Sequence, residues 1–273
     1  MALSPYPREP MPPPWSPHLL RRSPFFEPLR PLGDALALSR WPTWNDYNRL
    51  LAQAAAPIRS GGGVPLRFVP QTGKSRAYEA RIYLEGAVQT REENWHDFFN
   101  ALAWMTFPRA KAAINRRHYA AARQSPPAGR GAMRDALTLF DESGVAAACA
   151  RPILAERLRR FQWKTLFWHG RKTLAREMKF VLFGHALYEK ALRPYIGMTG
   201  AGWIFPVEPS FFDRPVAAQN AWLDAMIATR LAAADALSPQ DFTPVPLLGI
   251  PGWWPDNDRE PFYDNTDYFR PGR

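Results

Sequence analysis

The sequence predicts a helix-rich α+β fold: a single domain with one small antiparallel sheet, flanked by extended proline-rich terminal arms. Three observations lead there. Hydrophobic residues make up 46% of the 273 positions and aromatics 14%, ample for a packed core and enough to exclude wholesale disorder. Segments whose apolar residues recur three and four apart outnumber segments that alternate, so helix dominates. Proline is concentrated at the ends, with ten in residues 1–31 and six in residues 244–273.

The N-terminal arm, residues 1–31, is extended because proline fixes φ and removes a donor; Phe25, Phe26 and Leu29 are placed to pin its end to the body. The body spans residues 32–243. Thr43 and Asp46 form a capping-box pattern ahead of a helix through Trp44, Tyr47, Leu50 and Leu51. Gly61, Gly62 and Gly63 make a turn that lacks the lysine and following helix of a phosphate-binding loop. Residues 66–70 and 78–86 alternate apolar and polar and predict two strands joined through Gly73. Asn94 caps a helix with Trp95, Phe98, Phe99, Leu102 and Met105 on its apolar face. Phe107 and Pro108 end that helix and begin another, which runs to about Arg123. Residues 125–131 are a loop. The apolar runs 136–140 and 145–149, separated by four turn-forming residues, predict a hairpin packed on the helix at Asn94. Residues 152–178, 184–193 and 217–236 predict helices. Residues 244–273 form an irregular arm laid along the body, with Trp253 or Trp254 buried.

Thirty-five Lys and Arg against 25 Asp and Glu give a net charge of +10, a field that attracts nucleic acid or anionic ligands. The basic residues stand in separate groups, such as Arg21 with Arg22, Arg116 with Arg117, and Arg171 with Lys172. Cys149 is the only cysteine, which excludes an internal disulfide and any cysteine-based metal cluster. No secretory signal is visible. The longest strongly apolar run, residues 180–188, is well short of the roughly 20 needed to span a bilayer. The expected compartment is therefore the cytoplasm. No G-x-S-x-G elbow, H-E-x-x-H helix or strand-borne G-x-G-x-x-G occurs, so serine-hydrolase, zincin and dinucleotide readings have no motif behind them.

Three blocks carry titratable residues in patterns that suit chemistry. In NWHDFFN, His96, Asp97 and Asn100 open an aromatic helix; His96 can act as a base or a ligand, or as a structural cap, and Asp97 also suits the helix dipole. In RDALTLFDESG, headed by Arg134, Asp141 and Glu142 fall at a predicted strand end, where paired carboxylates serve metal or acid–base sites and equally serve tight turns. In FGHALYEKAL, His185 and Glu189 lie four apart on one helical face with Tyr188 beside them, a spacing that can hold a metal or fix a histidine tautomer. A fourth stretch holds Trp253 and Trp254, which can stack on a base or sugar or anchor the tail. His18, His118 and His169 read as structural or solvated.

Taken in order, NWHDFFNALAWMTFP, RDALTLFDESG, LFGHALYEKAL and PLLGIPGWWPDN resemble the proteobacterial family known as domain of unknown function 3025, over roughly residues 40–270. The resemblance implies that these blocks belong to one domain; it implies no activity. Two functional readings follow from the residues. One is an enzyme whose pocket gathers His96, Asp97, Asp141, Glu142, His185 and Glu189, a donor set suited to metal-assisted hydrolysis with a divalent ion such as zinc, manganese or iron. Asn100, Arg134, Tyr188, Trp253 and Trp254 are the candidate binding residues. The other is a non-catalytic module that grips nucleic acid or phosphate with its arginine pairs and aromatic rings. The arrangement of the blocks in space discriminates between them.

Overall fold

The computed structural model describes residues 13–36, 38–71, 78–123 and 130–272. Residues 1–12 of the arm expected over 1–31, the Gly73 connection and most of the 125–131 loop lie outside these residues.

Short helical turns at the N-terminal end include α1 (Arg30–Gly33), followed by α2 (Trp44–Ala52). The carboxylate of Asp46 accepts from the Thr43 backbone N–H at 2.8 Å and from Arg40, so the capping box forms as its pattern predicts. Strands β1 (Arg67–Pro70) and β2 (Ala87–Thr90) pair in parallel, in register Arg67 with Ala87. Parallel pairing needs a crossover, and helix α3 (Tyr78–Glu85) supplies it. This corrects the strand expected over 78–86. Of the residues that would share a strand face, Ile82 is buried while Leu84 is 59% exposed, and Glu, Ala, Arg and Leu all favour helix.

Next come α4 (Trp95–Thr106), with the Asn94 side chain accepting from Asp97 N, and α5 (Pro108–Arg123). Helix α6 (Arg130–Ser143) runs directly into β3 (Gly144–Cys149), which removes the expected hairpin. The run 136–140 is too short for its period to be read. Ala136, Leu137 and Phe140 are all fully buried at helical spacing, and Asp141 and Glu142 occupy the last helical turn. The chain continues through α7 (Pro152–Arg159), a π-helical turn (Lys164–His169), α8 (Arg171–Glu177), β4 (Met178–Leu182), α9 (His185–Lys190), β5 (Thr199–Pro206), α10 (Val216–Ala233) and β6 (Thr243–Pro246).

The main sheet has the order β4-β3-β5-β6. It is mixed: β3 runs antiparallel to β4 and parallel to β5, and β5 runs antiparallel to β6. The small antiparallel sheet of the sequence reading is thus a four-stranded mixed sheet beside a separate parallel pair. Side chains alternate across the sheet. Val145, Ala147 and Cys149 enter one core, with α4, α7, α9 and both terminal segments. Ala146 and Ala148 enter the other, with α5, α6 and α10. The alanine run of β3 lets helices approach closely on both faces, and at the end of the sheet where α6 enters β3 and β4 leaves into α9 the two layers meet.

Candidate functional site

Two local features bring distant residues together at that end of the sheet. Gly184, the residue before α9, has no room for a side chain: a Cβ there would lie 2.4 Å from Ser143 N and 2.5 Å from the carbonyl carbon of Glu142. Its absence lets the end of α6 rest against the start of α9, and Gly184 N donates to Gly144 O at 2.9 Å. On the other side, α4 packs along α9 through Phe99 and Tyr188, whose rings stack 5.7 Å apart. His96, Glu142 and His185 are thereby gathered from three helices.

The imidazole of His185 is buried, 4% exposed. Its Nδ1 lies 2.8 Å from the backbone oxygen of Asp141, and its Nε2 lies 3.1 Å from Nε2 of His96. Nδ1 of His96 lies 3.2 Å from the Glu189 carboxylate. Glu142 Oε1 stands 3.6 Å from His185 Nε2. One donor atom from each of His96, Glu142 and His185 lies within 4.8 Å of the others, so the three can share a metal ion. Burial, with Lys111 nearby, lowers the pKa of His185 to about 3. The Glu189 hydrogen bond raises that of His96. Burial raises that of Glu142.

Behind the histidines is a second, tighter pair. Lys111, 4% exposed, donates to Asp141 Oδ1 at 2.6 Å and to Asn100 Oδ1 at 3.0 Å. Burial opposes the charge on Asp141, but Lys111 and His185 beside it hold its carboxyl below the usual range. Asn100 also donates to the Tyr78 hydroxyl at 3.0 Å. Tyr78, His96, Asn100, Lys111, Asp141, Glu142 and His185 border a cleft of about 980 Å³.

The candidate residues therefore divide. His96, Asp141, Glu142, His185 and Glu189 converge, and Asn100 and Arg134 line the same cleft. Asp97 also borders it, but its carboxylate is taken up by Arg91, through both the side chain and the backbone N–H. Tyr188 is wholly buried, and its hydroxyl donates to the backbone oxygen of Leu182; it is a core residue. Trp253 and Trp254 lie elsewhere, partly buried against the first core, with Trp253 edge-on to Phe25 at 4.6 Å.

Lys111 and Gln89, which lie outside the titratable blocks of the sequence, line the cleft, as does His118, which the sequence alone assigns a structural or solvent role. A signal existed in Lys111, Asn115 and His118, which stand at i, i+4 and i+7 on one face of α5; a polar stripe of that kind usually faces solvent. Several of the paired arginines are used within the chain. Arg117 donates to the carbonyls of Leu231 and Ala234, Arg116 donates to that of Gly61, and Arg171 pairs with Asp258.

Among known proteins, the model of a family described as Protein of unknown function (DUF3025) matches residues 66–273. No curated protein and no solved structure matches the chain. Among the described residues no helix is long and apolar enough to cross a membrane.

Proposed function

We propose that this chain, which belongs to the DUF3025 family, is a metal-assisted enzyme of the hydrolase type in which His96, His185 and Glu142 hold a divalent cation. One observation carries the reading. Nδ1 of His185 faces a backbone carbonyl and Nδ1 of His96 faces a carboxylate. Neither partner donates, so each Nδ1 carries the proton of its ring. Two neutral imidazoles then turn bare Nε2 lone pairs toward each other across 3.1 Å. Facing acceptors repel unless a cation lies between them. A proton on His96 is one such cation and a metal ion is the other.

The two spacings at His185 suit a metal. With bonds of about 2.1 Å, nitrogens 3.1 Å apart subtend about 95° at the ion. The 3.6 Å separation of His185 Nε2 from Glu142 Oε1 subtends about 120°. Two histidines and one carboxylate leave coordination positions open to water and substrate. Held by these three residues, a divalent ion would supply Lewis acidity and would bring the pKa of a coordinated water toward 7. The protein's own groups do the rest. Asp141 and Glu189 fix the two ring tautomers from behind, as outer partners of metal-binding histidines do. Lys111 stands in the cleft wall with Asp141. The internal use of the arginine pairs, and the packing of Trp253 and Trp254 on the core, give the nucleic-acid reading less support. For compartment we propose the cytoplasm, in keeping with a single buried, unpaired Cys149.

Metal analysis and cobalt(II) titration of the purified full-length chain test the proposal. The expected result is one divalent ion per chain, and a cobalt spectrum that His185→Ala, His96→Ala and Glu142→Gln each weaken at least tenfold in affinity. Metal-dependent hydrolysis should appear in a panel of chromogenic esters and phosphoesters. A correctly folded chain that binds zinc, manganese, iron and cobalt no better than His185→Ala would overturn it.

A further inference from the structure

Helices α5 and α6 form the long walls of the cleft, and their register can be read from two contacts. Lys111 meets Asp141 at 2.6 Å, and Arg117 meets Met133 at 3.6 Å. The helices are therefore antiparallel. His118 on α5 and Arg134 on α6 both border the cleft, and this register sets them at the same level along it. Each stands seven residues along its helix from the Lys111–Asp141 pair, a distance of about 10 Å at 1.5 Å per residue.

The other basic groups of the cleft are engaged, Arg91 with Asp97 and Lys111 with Asp141. His118 and Arg134 have no hydrogen-bond or ion-pair partner among the described residues. Gln89 borders the same space; it is 8% exposed, and its buried Nε2 donor has no partner. A buried donor without an acceptor is costly, and where a cleft is present a ligand can supply the acceptor. The cleft thus offers a cation-binding end at His96, Glu142 and His185, just past the Lys111–Asp141 pair, and a donor-bearing stretch about 10 Å from that pair.

We infer that the cleft binds an elongated substrate carrying an anionic oxygen group, carboxylate or phosphate, that lies between His118 and Arg134 while the bond to be cut lies at the His96–Glu142–His185 end. A guanidinium and an imidazole together give the forked, charge-assisted donors that either anion prefers. The inference rests on the hydrolytic reading for the position of the cut bond alone; the anion grip stands on its own geometry.

The experiment has two arms. In the first, the histidine ring signals of metal-free, full-length protein are followed by NMR while inorganic phosphate or glutarate is added. The His118 signal is expected to shift saturably with one of them, which identifies the anion, and Arg134→Ala is expected to weaken that binding at least tenfold. Arg176→Ala, an exposed substitution on α8, is expected to leave it unchanged. In the second arm, zinc-loaded protein is offered linear hydroxamates ending in a carboxylate about 12 Å from the hydroxamate, the eight-residue rise from Arg134 to Glu142. These are expected to bind at least tenfold more tightly than the same compounds capped as amides. If neither anion moves His118, or Arg134→Ala binds as well as the parent, the anion grip is wrong whatever the metal does. If the anion arm succeeds and zinc does not bind, the grip stands and the hydrolase reading falls. If the charged and amide hydroxamates bind equally, the two ends do not serve one ligand and the inference fails.

Discussion

Asp224 sits on α10, yet it caps a different helix. Its carboxylate accepts from the backbone N–H groups of Arg109 at 3.1 Å and Ala110 at 2.8 Å, in the first turn of α5. Two opposing effects act on it. Burial disfavours the charged form, and the two N–H groups favour it; burial prevails and raises its pKa from 3.8 to about 6. A carboxyl whose pKa is higher in the folded chain than in the unfolded one contributes stability that is complete below the unfolded pKa. That contribution is lost as pH rises through the folded value. Between pH 3.8 and about 6 the folded protein should therefore lose on the order of 3 kcal/mol relative to a chain without this group. Asp224→Asn keeps an acceptor at the helix start and removes the titration. Denaturant unfolding of both proteins across this window should show the parent losing ground to the variant as pH rises. Parallel pH profiles would mean that the two backbone donors compensate fully for burial.

At the scale of the element, the meeting of α6 and α9 makes the site. Gly184→Ala would place a methyl group within 2.5 Å of the backbone of Glu142 and Ser143, so one helix must move. Backbone cannot yield as a flexible side chain does, and the expected cost is about 1–3 kcal/mol of stability. The larger effect should fall on function. Glu142 and His185 would separate, so cobalt affinity should drop at least tenfold while the circular dichroism spectrum stays native. A variant that unfolds more easily but binds metal as before would show that the close approach serves packing alone.

The same elements show what was legible in the sequence. The capping box at Thr43, the Asn94 cap and the start of α9 after Gly184 were local signals, set by backbone groups a few residues away, and they could be read. Segments 78–86 and 136–140 carry strand-like patterns but fold as helix. Each is short, and its apolar spacing fits either period; tertiary burial of Ile82 on α3, and of Leu137 and Phe140 on α6, decided for helix. His96, Glu142 and His185 stood out as blocks, but no local rule places three helices at one sheet end. Lys111 and His118 stayed hidden because a polar stripe on a helix looks solvated until a second helix is known to face it. Asp97 and Tyr188 had suitable neighbours but face partners of their own.

For the whole molecule, the C-terminal segment is the sharpest test. The sequence suggests an irregular arm laid on a finished body, but residues 243–246 add the edge strand β6 to the main sheet. Proline is tolerated there because an edge strand need not donate on its outer side. Beyond β6, Leu247, Leu248, Ile250, Tyr263, Tyr268 and Phe269 are all buried. Polar contacts fix the path. The Tyr268 hydroxyl donates to Met198 O at 2.8 Å and accepts from Leu248 N at 2.9 Å, the Asn257 amide donates to Leu248 O and Ile250 O, and Trp163 Nε1 donates to Arg270 O at 2.7 Å. Six buried apolar side chains at about 1.5–3 kcal/mol each amount to roughly 9–18 kcal/mol. That is as large as the roughly 5–15 kcal/mol by which a whole domain is stable. A chain ending at residue 246 should therefore show no cooperative thermal transition, because its first core would be open along the side that faces α7 and the π-helical turn. Trp253→Ala removes only a half-buried ring and should lower the melting temperature by a few degrees while leaving the transition cooperative. If instead the shortened chain melts cooperatively near the full-length temperature, residues 247–273 are an appendage, and the first core must be complete without them.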